Sequence, residues 1–278
     1  ADLLGDPLMH LVRNAVDHGI ESPEERAAAG KTEQPTVTLS ARYESNDALI
    51  EVRDNGAGMD PKKLLEKPSG YFRFLLNEFC RIALALGGVH VNVTGLEKVP
   101  RKGRFLLVSN HRFAFDPIVF YAVMPWAELA FLSKKENFSI FIVAQVMREV
   151  LCLPVDRNND RESLKSILKA IQFIKDDKAS IAVFPEGGTN KTSDPLLPYR
   201  SGVFKIAQNV PIVVCSLVNS RAILHNMFRK HTEVWLDVLD VVPAEELAGK
   251  TAIEVGERVH AVMEAGIVAR EKEQGLRA

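Results

Sequence analysis

Asn110-His-Arg-Phe-Ala-Phe-Asp116, followed at once by Pro117 and preceded by the apolar run Phe105 to Val108, is the stretch from which this chain is best read. The apolar run reads as a buried strand, and a proline directly after Asp116 suits the first turn of a helix. Strand, turn and helix in that order put a histidine at the end of the strand. Asp116 follows His111 by five residues, so the turn can bring its carboxylate round to the imidazole. An imidazole oriented by a carboxylate works as a general base.

The pattern continues outward. Phe184-Pro-Glu-Gly-Gly-Thr-Asn190 closes a second apolar run, Ser180 to Phe184, with a glycine turn whose backbone N–H groups can hold an anion. Further short runs, Val89 to Val93, Leu129 to Leu132, Pro211 to Val218 and Val234 to Val238, alternate with helical stretches. This predicts an α/β fold, a mixed sheet flanked by helices. The clearest helix is Ser163 to Lys175, where Leu164, Ile167, Leu168, Ile171 and Ile174 share one face and are predicted to pack on the sheet. A second helical stretch, about Ala252 to Glu273, closes the chain. Tyr71 to Leu86 is apolar over most of its surface, interrupted by Arg73, Glu78 and Arg81; it suits a helix lying in a membrane interface, with a core helix as the alternative.

With 278 residues and 46% hydrophobic side chains the chain is globular. Its net charge of −1 conceals an asymmetry: residues 1–67 hold eight Lys plus Arg against thirteen Asp plus Glu, leaving twenty-seven against twenty-three and +4 on the remainder. A mildly basic body suits an anionic substrate or an anionic membrane surface, and no nucleic acid is implied. Cys80, Cys152 and Cys215 are odd in number and set in apolar sequence, so they read as core residues and not as a disulfide framework or a zinc site. His90, His225, His231 and His260 have no partner at catalytic or ligand spacing, and no metal site is expected.

The Asn-His-x4-Asp spacing with Phe-Pro-Glu-Gly downstream resembles the glycerolipid acyltransferases that make phosphatidic acid from lysophosphatidic acid, the 1-acyl-sn-glycerol-3-phosphate (PlsC-like) family, over about residues 71 to 270. The resemblance implies a fatty acyl group moved from acyl-CoA or acyl-acyl carrier protein to the sn-2 hydroxyl of a lysophospholipid, with His111 and Asp116 catalytic and no further cofactor. It also implies substrate contacts from Asn110, Glu186, Gly187, Gly188 and Thr189. Leu153-Pro-Val-Asp-Arg157 resembles the family's apolar-Asp-Arg segment, which makes Arg157 the main phosphate ligand. Where the family has Thr-Arg-Ser after the Glu-Gly pair, this chain has Gly188-Thr189-Asn190. Either Lys191 or Arg200 therefore replaces the arginine, or the acceptor is another lysolipid or an amino-acid lipid. Val210 to Ser216 reads as acyl-pocket wall or core, and Lys134-Lys135 as a solvated pair. The enzyme is expected at the cytoplasmic face of a bacterial inner membrane, held peripherally.

The first 67 residues carry another signature: Asp6-Pro-Leu-Met-His-Leu-Val-Arg-Asn-Ala-Val-Asp-His-Gly-Ile-Glu21, an alternating strand run, then Asp54-Asn-Gly-Ala-Gly-Met-Asp60. This is similar to the ATP-binding domain of chemotaxis histidine kinases (CheA-like), a small α+β fragment in which Asn14 would hold magnesium, Asp54 the adenine amino group, and Gly56 and Gly58 the adjoining turn. The family's lid and second glycine-rich segment do not follow Lys67, so no ATP binding is expected. Lys67-Pro-Ser-Gly70 reads as a junction. The expected organisation is a truncated kinase fragment at 1–67, a linker and interfacial helix at 68–88, and the acyltransferase domain at 89–278. With Ala1 in place of Met, the join reads as an engineered fusion replacing an N-terminal membrane segment; a natural fusion is the alternative, and an ATP-binding signalling module or a silent lipid-binding protein are the competing classes.

Overall fold

The computed structural model describes residues 12, 16, 20, 22–28, 30–44, 47–56, 70–157, 159–226 and 231–276. The chain divides into two compact units, Ala1–Lys67 and Pro68–Ala278. In the first, helix α1 (Pro23–Ala28) precedes an antiparallel hairpin of β1 (Val37–Glu44) and β2 (Asp47–Asp54). Asn55 ties the loops together, accepting from Thr36 N at 2.8 Å and donating to Gln34 O at 2.8 Å.

The second unit begins with α2 (Gly70–Leu86) and β3 (Val89–Thr94), then β4 (Leu106–Ser109), α3 (Asp116–Val123), β5 (Leu129–Lys134), α4 (Phe141–Glu149), β6 (Leu153–Val155), α5 (Asp160–Lys175), β7 (Ser180–Val183) and β8 (Ile212–Val218). It ends with α6 (Ala222–Asn226), β9 (Thr232–Val242), α7 (Ala244–Leu247) and α8 (Ala252–Glu273). The seven strands lie in the order β3-β9-β8-β4-β7-β5-β6. The five from β8 to β6 are parallel, while β9 runs antiparallel to β8 and β3 runs parallel to β9, so the sheet is mixed.

Strands β4, β7 and β8 are buried at every position, as parallel strands covered on both faces must be. Alternate residues feed opposite layers. Leu106, Val108, Ile181, Val183, Ile212 and Val214 pack with Ala170 and Phe173 of α5 and with Val255, Val259, Met263 and Ile267 of α8. Leu107, Ala182, Val213, Cys215 and Leu217 pack with Val119 and Phe120 of α3, with Phe72 and Leu76 of α2 beside them. Each buried Leu or Ile adds roughly 1.5–3 kcal/mol to this core. Val210 to Ser216 thus contributes to the core through β8.

Three elements differ from expectation. Helix α5 is rotated: Leu164 and Leu168 are 45% and 57% exposed, and the inward face is Ser166, Ala170 and Phe173, with Ile167, Ile171 and Ile174 half-buried. Strand β9 runs on through Asp237 and Asp240 to Val242, because Asp237 is buried against Arg270, which donates to it at 2.6 and 2.9 Å, and accepts from Thr94 Oγ1 at 2.6 Å. In α2 the buried residues are Arg73, Asn77 and Cys80, while Tyr71, Phe74, Leu75, Phe79, Ile82 and Leu86 face outward. Arg73, far from interrupting the helix, anchors it: its Nη1 and Nη2 donate to the carbonyls of Leu129 and Val150 at 3.0 and 3.1 Å. Helix α2 is packed against α3 and β3 and is part of the second unit.

Candidate active site

After β4 the chain turns into α3 on one face of the sheet, whereas after the neighbouring β7 it reaches a 3-10 segment, Ser201–Ala207, whose Phe204, Ile206 and Ala207 belong to the opposite layer. Adjacent parallel strands whose connections diverge leave a crevice at their carboxyl ends. Both sequence motifs meet there.

Asn110 closes β4. It is buried, donates from Nδ2 to Leu217 O at 2.8 Å and accepts at Oδ1 from Leu217 N at 2.7 Å. Its amide is spent on joining β4 to β8, which corrects the expectation of a substrate contact. His111 follows, with Nδ1 3.0 Å from Asp116 Oδ2. That oxygen also accepts from Arg112 N at 2.8 Å and Phe113 N at 2.9 Å, so the turn is wound around the carboxylate. Asp116 is wholly buried, and its Oδ1 has no hydrogen-bond partner among the described residues. The pairing through Nδ1 leaves Nε2 as the free ring nitrogen of His111, whose ring stacks on Phe184 with centroids 4.2 Å apart.

His111 is also gripped by its backbone. Its N–H donates to Glu186 Oε1 at 2.7 Å, and its carbonyl accepts from Asn190 N at 2.7 Å. The second oxygen of Glu186 accepts from Leu197 N at 2.9 Å. Burial pushes the Glu186 carboxyl above its ordinary value, opposed by these two N–H donors. Glu186 was expected to fix an acceptor hydroxyl; the structure turns it onto the backbone instead.

An open cleft of about 130 Å³ is lined by His111, Gly187, Gly188, Arg157, Arg200 and Lys134 together with apolar residues that include Phe131, Val155 and Val203. Gly187 has φ +70, and a Cβ there would stand 2.8 Å from Arg200 Nε; a Cβ on Gly188 would reach Arg157 Nη1 at 3.4 Å. The two glycines therefore let two guanidinium groups lie close against the turn. Arg200 Nη1 donates to Arg157 O at 3.4 Å. The Arg157 guanidinium is held below its ordinary range by burial and then by the charge of Arg200. Among the described residues neither arginine is ion-paired. Thr189 and Lys191 do not line the cleft and Lys191 is exposed, whereas Arg200 lines it. Lys134 reaches the rim of the cleft but is exposed and lies 3.6 Å from Glu136, in keeping with the solvated reading of the lysine pair. Lys135 fits it too, bridging to Asp156 at 2.6 Å.

The remaining sequence candidates fall elsewhere. His231 lies 2.5 Å from Glu233 and 5.9 Å in ring separation from His90, and His260 meets Tyr199 edge-on, all outside the cleft. Cys80, Cys152 and Cys215 are free and buried. Among the described residues no group of three or more His, Cys, Asp or Glu could hold a metal ion, and no helix is long and apolar enough to cross a membrane. In the first unit Asn14 and Gly58 lie outside the described residues, while Asp54 caps its own turn by accepting from Gly56 N at 3.0 Å.

Residues 90–220, which hold the base-carboxylate pair and the arginine-lined turn at the sheet's carboxyl edge, match the acyltransferase family model. The chain's structure is similar to that of the 1-acyl-sn-glycerophosphate (LPA) acyltransferase PlsC from Thermotoga maritima, with TM-score 0.60 and 21% identity over 79% of this chain and 84% of that one. That likeness shows the fold. Residues 4–88 match the histidine kinase-, DNA gyrase B- and HSP90-like ATPase model, a range that reaches past Lys67 into α2. Chemotaxis protein CheA of Bacillus subtilis is 54% identical over 66 residues, and that of Halobacterium salinarum 55% over 64, in each case about a quarter of this chain. The chain spans about a tenth of the length of these CheA relatives. One stretch of the chain is thus similar to acyltransferases and another to kinase-type ATPase domains.

Proposed function

We propose that the second unit transfers a fatty acyl group from acyl-CoA or acyl-acyl carrier protein to the sn-2 hydroxyl of 1-acylglycerol 3-phosphate, giving phosphatidic acid. The observation that carries this reading is one cleft holding both His111, with Nδ1 fixed by Asp116, and the unpaired guanidinium groups of Arg157 and Arg200. His111 Nε2 takes the hydroxyl proton as the oxygen attacks the thioester carbonyl, and Asp116 stabilises the imidazolium that forms. The tetrahedral adduct then expels the thiolate, which takes that proton back, so ester and thiol leave and the enzyme is unchanged. Arg157 and Arg200 hold the acceptor phosphate, Arg157 through the fork that matches phosphate bidentately.

The outward apolar face of α2 is the surface that rests on the membrane. On this reading the protein sits peripherally at the cytoplasmic face of a bacterial inner membrane, where the amphiphilic acceptor is found. The turn Gly188-Thr189-Asn190 favours one variant of the reading, in which the acceptor is a different lysolipid or an amino-acid lipid held by the same two arginines.

The test is acyl transfer from labelled palmitoyl thioester to lysophosphatidic acid in detergent, with His111→Ala and Arg157→Ala alongside and products identified by mass. His111→Ala should abolish product, and Arg157→Ala should mainly raise the acceptor KM. Acylation of another lysolipid in place of lysophosphatidic acid would move the reading to its variant, and no acylation at all would overturn it.

A further inference from the structure

We infer that Glu186 and Asn190 are positioning residues for His111, a two-sided clamp on the backbone of the base. This rests on His111 acting as the base. The grip is symmetrical about one residue: Glu186 Oε1 takes the His111 N–H and the Asn190 N–H gives to the His111 carbonyl, both at 2.7 Å. Each arm is itself held from behind. Glu186 is 7% exposed and its other oxygen is bound by Leu197 N at 2.9 Å, so the carboxylate bridges the loop after β4 to the segment that returns towards Arg200. Asn190 is fully buried, and its side chain fixes the shape of its own loop: Oδ1 accepts from Thr192 N at 2.9 Å and Thr192 Oγ1 at 2.8 Å, and Nδ2 donates to Asp194 O at 3.0 Å. Arg221 Nη2 donates to its carbonyl.

The consequence is that the second motif sets the position of the base, in addition to presenting arginines to the acceptor. Bidentate acceptance of two backbone N–H groups leaves Glu186 aimed at the chain and away from the acceptor hydroxyl. Asn190, at a place where the family pattern has serine, contributes through its side chain a loop closure that keeps its own N–H on His111. A misplacement of about 1 Å in a catalytic group costs about 100-fold in rate, so loosening either arm should be read in kcat.

The experiment is steady-state kinetics with varied lysophosphatidic acid for the whole chain and for Glu186→Gln, Glu186→Ala, Asn190→Ala and His111→Ala, with circular dichroism and thermal unfolding of each. Glutamine keeps one carbonyl acceptor and loses the other, so Glu186→Gln should lower kcat roughly 10-fold and Glu186→Ala roughly 100-fold, with acceptor KM within about twofold. Asn190→Ala should fall between them with the same unchanged KM. A rise in acceptor KM with kcat kept would show Glu186 touching the acceptor and overturn the clamp, as would unchanged kcat in Asn190→Ala and Glu186→Gln. Full activity in His111→Ala would overturn the base assignment itself. If Glu186→Ala does not fold, the graded pair Glu186→Gln and Asn190→Ala still decides.

Discussion

At the scale of single residues, the site separates into what spacing reveals and what only tertiary contacts reveal. The His111–Asp116 relation was legible because a five-residue turn into a proline-started helix has few ways to place a carboxylate, and the structure puts the two 3.0 Å apart. The bonds of Asn110 and Glu186 were not legible, since their partners are backbone N–H and C=O groups of distant segments that have no letter in the sequence. Two predictions belong here. Arg157→Lys should recover little of what Arg157→Ala loses in acceptor KM, because an ammonium replaces the planar fork with a single point charge; recovery within twofold in the same assay would argue for simple charge attraction. The second concerns pH. Burial raises the folded-state pKa of Glu186 above the 4.5 of an exposed glutamate, so the folded chain binds its proton more tightly than the unfolded one. The stabilising effect of that proton is complete below 4.5 and is lost as pH rises through the raised value. Urea midpoints should therefore show the stability of the unaltered chain relative to Glu186→Gln shrinking as pH rises above 4.5. A difference that widens instead would mean that the two N–H donors outweigh burial.

Among the elements, the positions of the central strands were accessible to pattern because β4, β7 and β8 are mainly apolar runs, but helix orientation was not. Periodicity gives the apolar side of α5, yet Ser166 is turned inward by donating to Pro154 O at 2.5 Å and Ala170 is fully buried, which leaves Leu164 and Leu168 outside. Strand β6 escaped notice because three residues with a central proline, Leu153–Val155, carry no period. Helix α2 is the extreme case, with an arginine inside and aromatic residues outside. Arg73→Ala would leave the carbonyls of Leu129 and Val150 without their donors, at a cost of about 3 kcal/mol in denaturant unfolding. Replacing Phe79 and Ile82 together by Asp should change that stability by less than about 1 kcal/mol, since both side chains are more than half exposed. The same double change should abolish co-sedimentation with anionic phospholipid vesicles if this face meets the membrane. Retained vesicle binding would move the lipid contact elsewhere on the unit.

For the whole molecule, the change of charge balance and composition around Lys67-Pro-Ser-Gly70 coincides with the boundary between the two compact units. The resemblance of the first unit to a kinase was legible from Asp54-Asn-Gly-Ala-Gly and the segment around Asn14. The chain spans about a tenth of the length of its CheA relatives, so nucleotide binding by this unit is a matter for direct test. A ligand that binds only the folded state stabilises it by RT ln(1 + [L]/Kd), about 2.7 kcal/mol at a hundredfold excess over Kd. Even micromolar affinity would therefore show at millimolar ATP. The expected result is no heat of binding for magnesium-ATP in calorimetry and no shift of any thermal transition, while acyl transfer proceeds at the same rate with and without nucleotide. Binding in the micromolar range would make the first unit a working nucleotide site. A change in the binding affinity for acyl acceptor on adding ATP would go further, because coupling between two binding sites is reciprocal: acceptor would then have to alter ATP affinity by the same factor, and the fragment would be a regulatory module of the transferase.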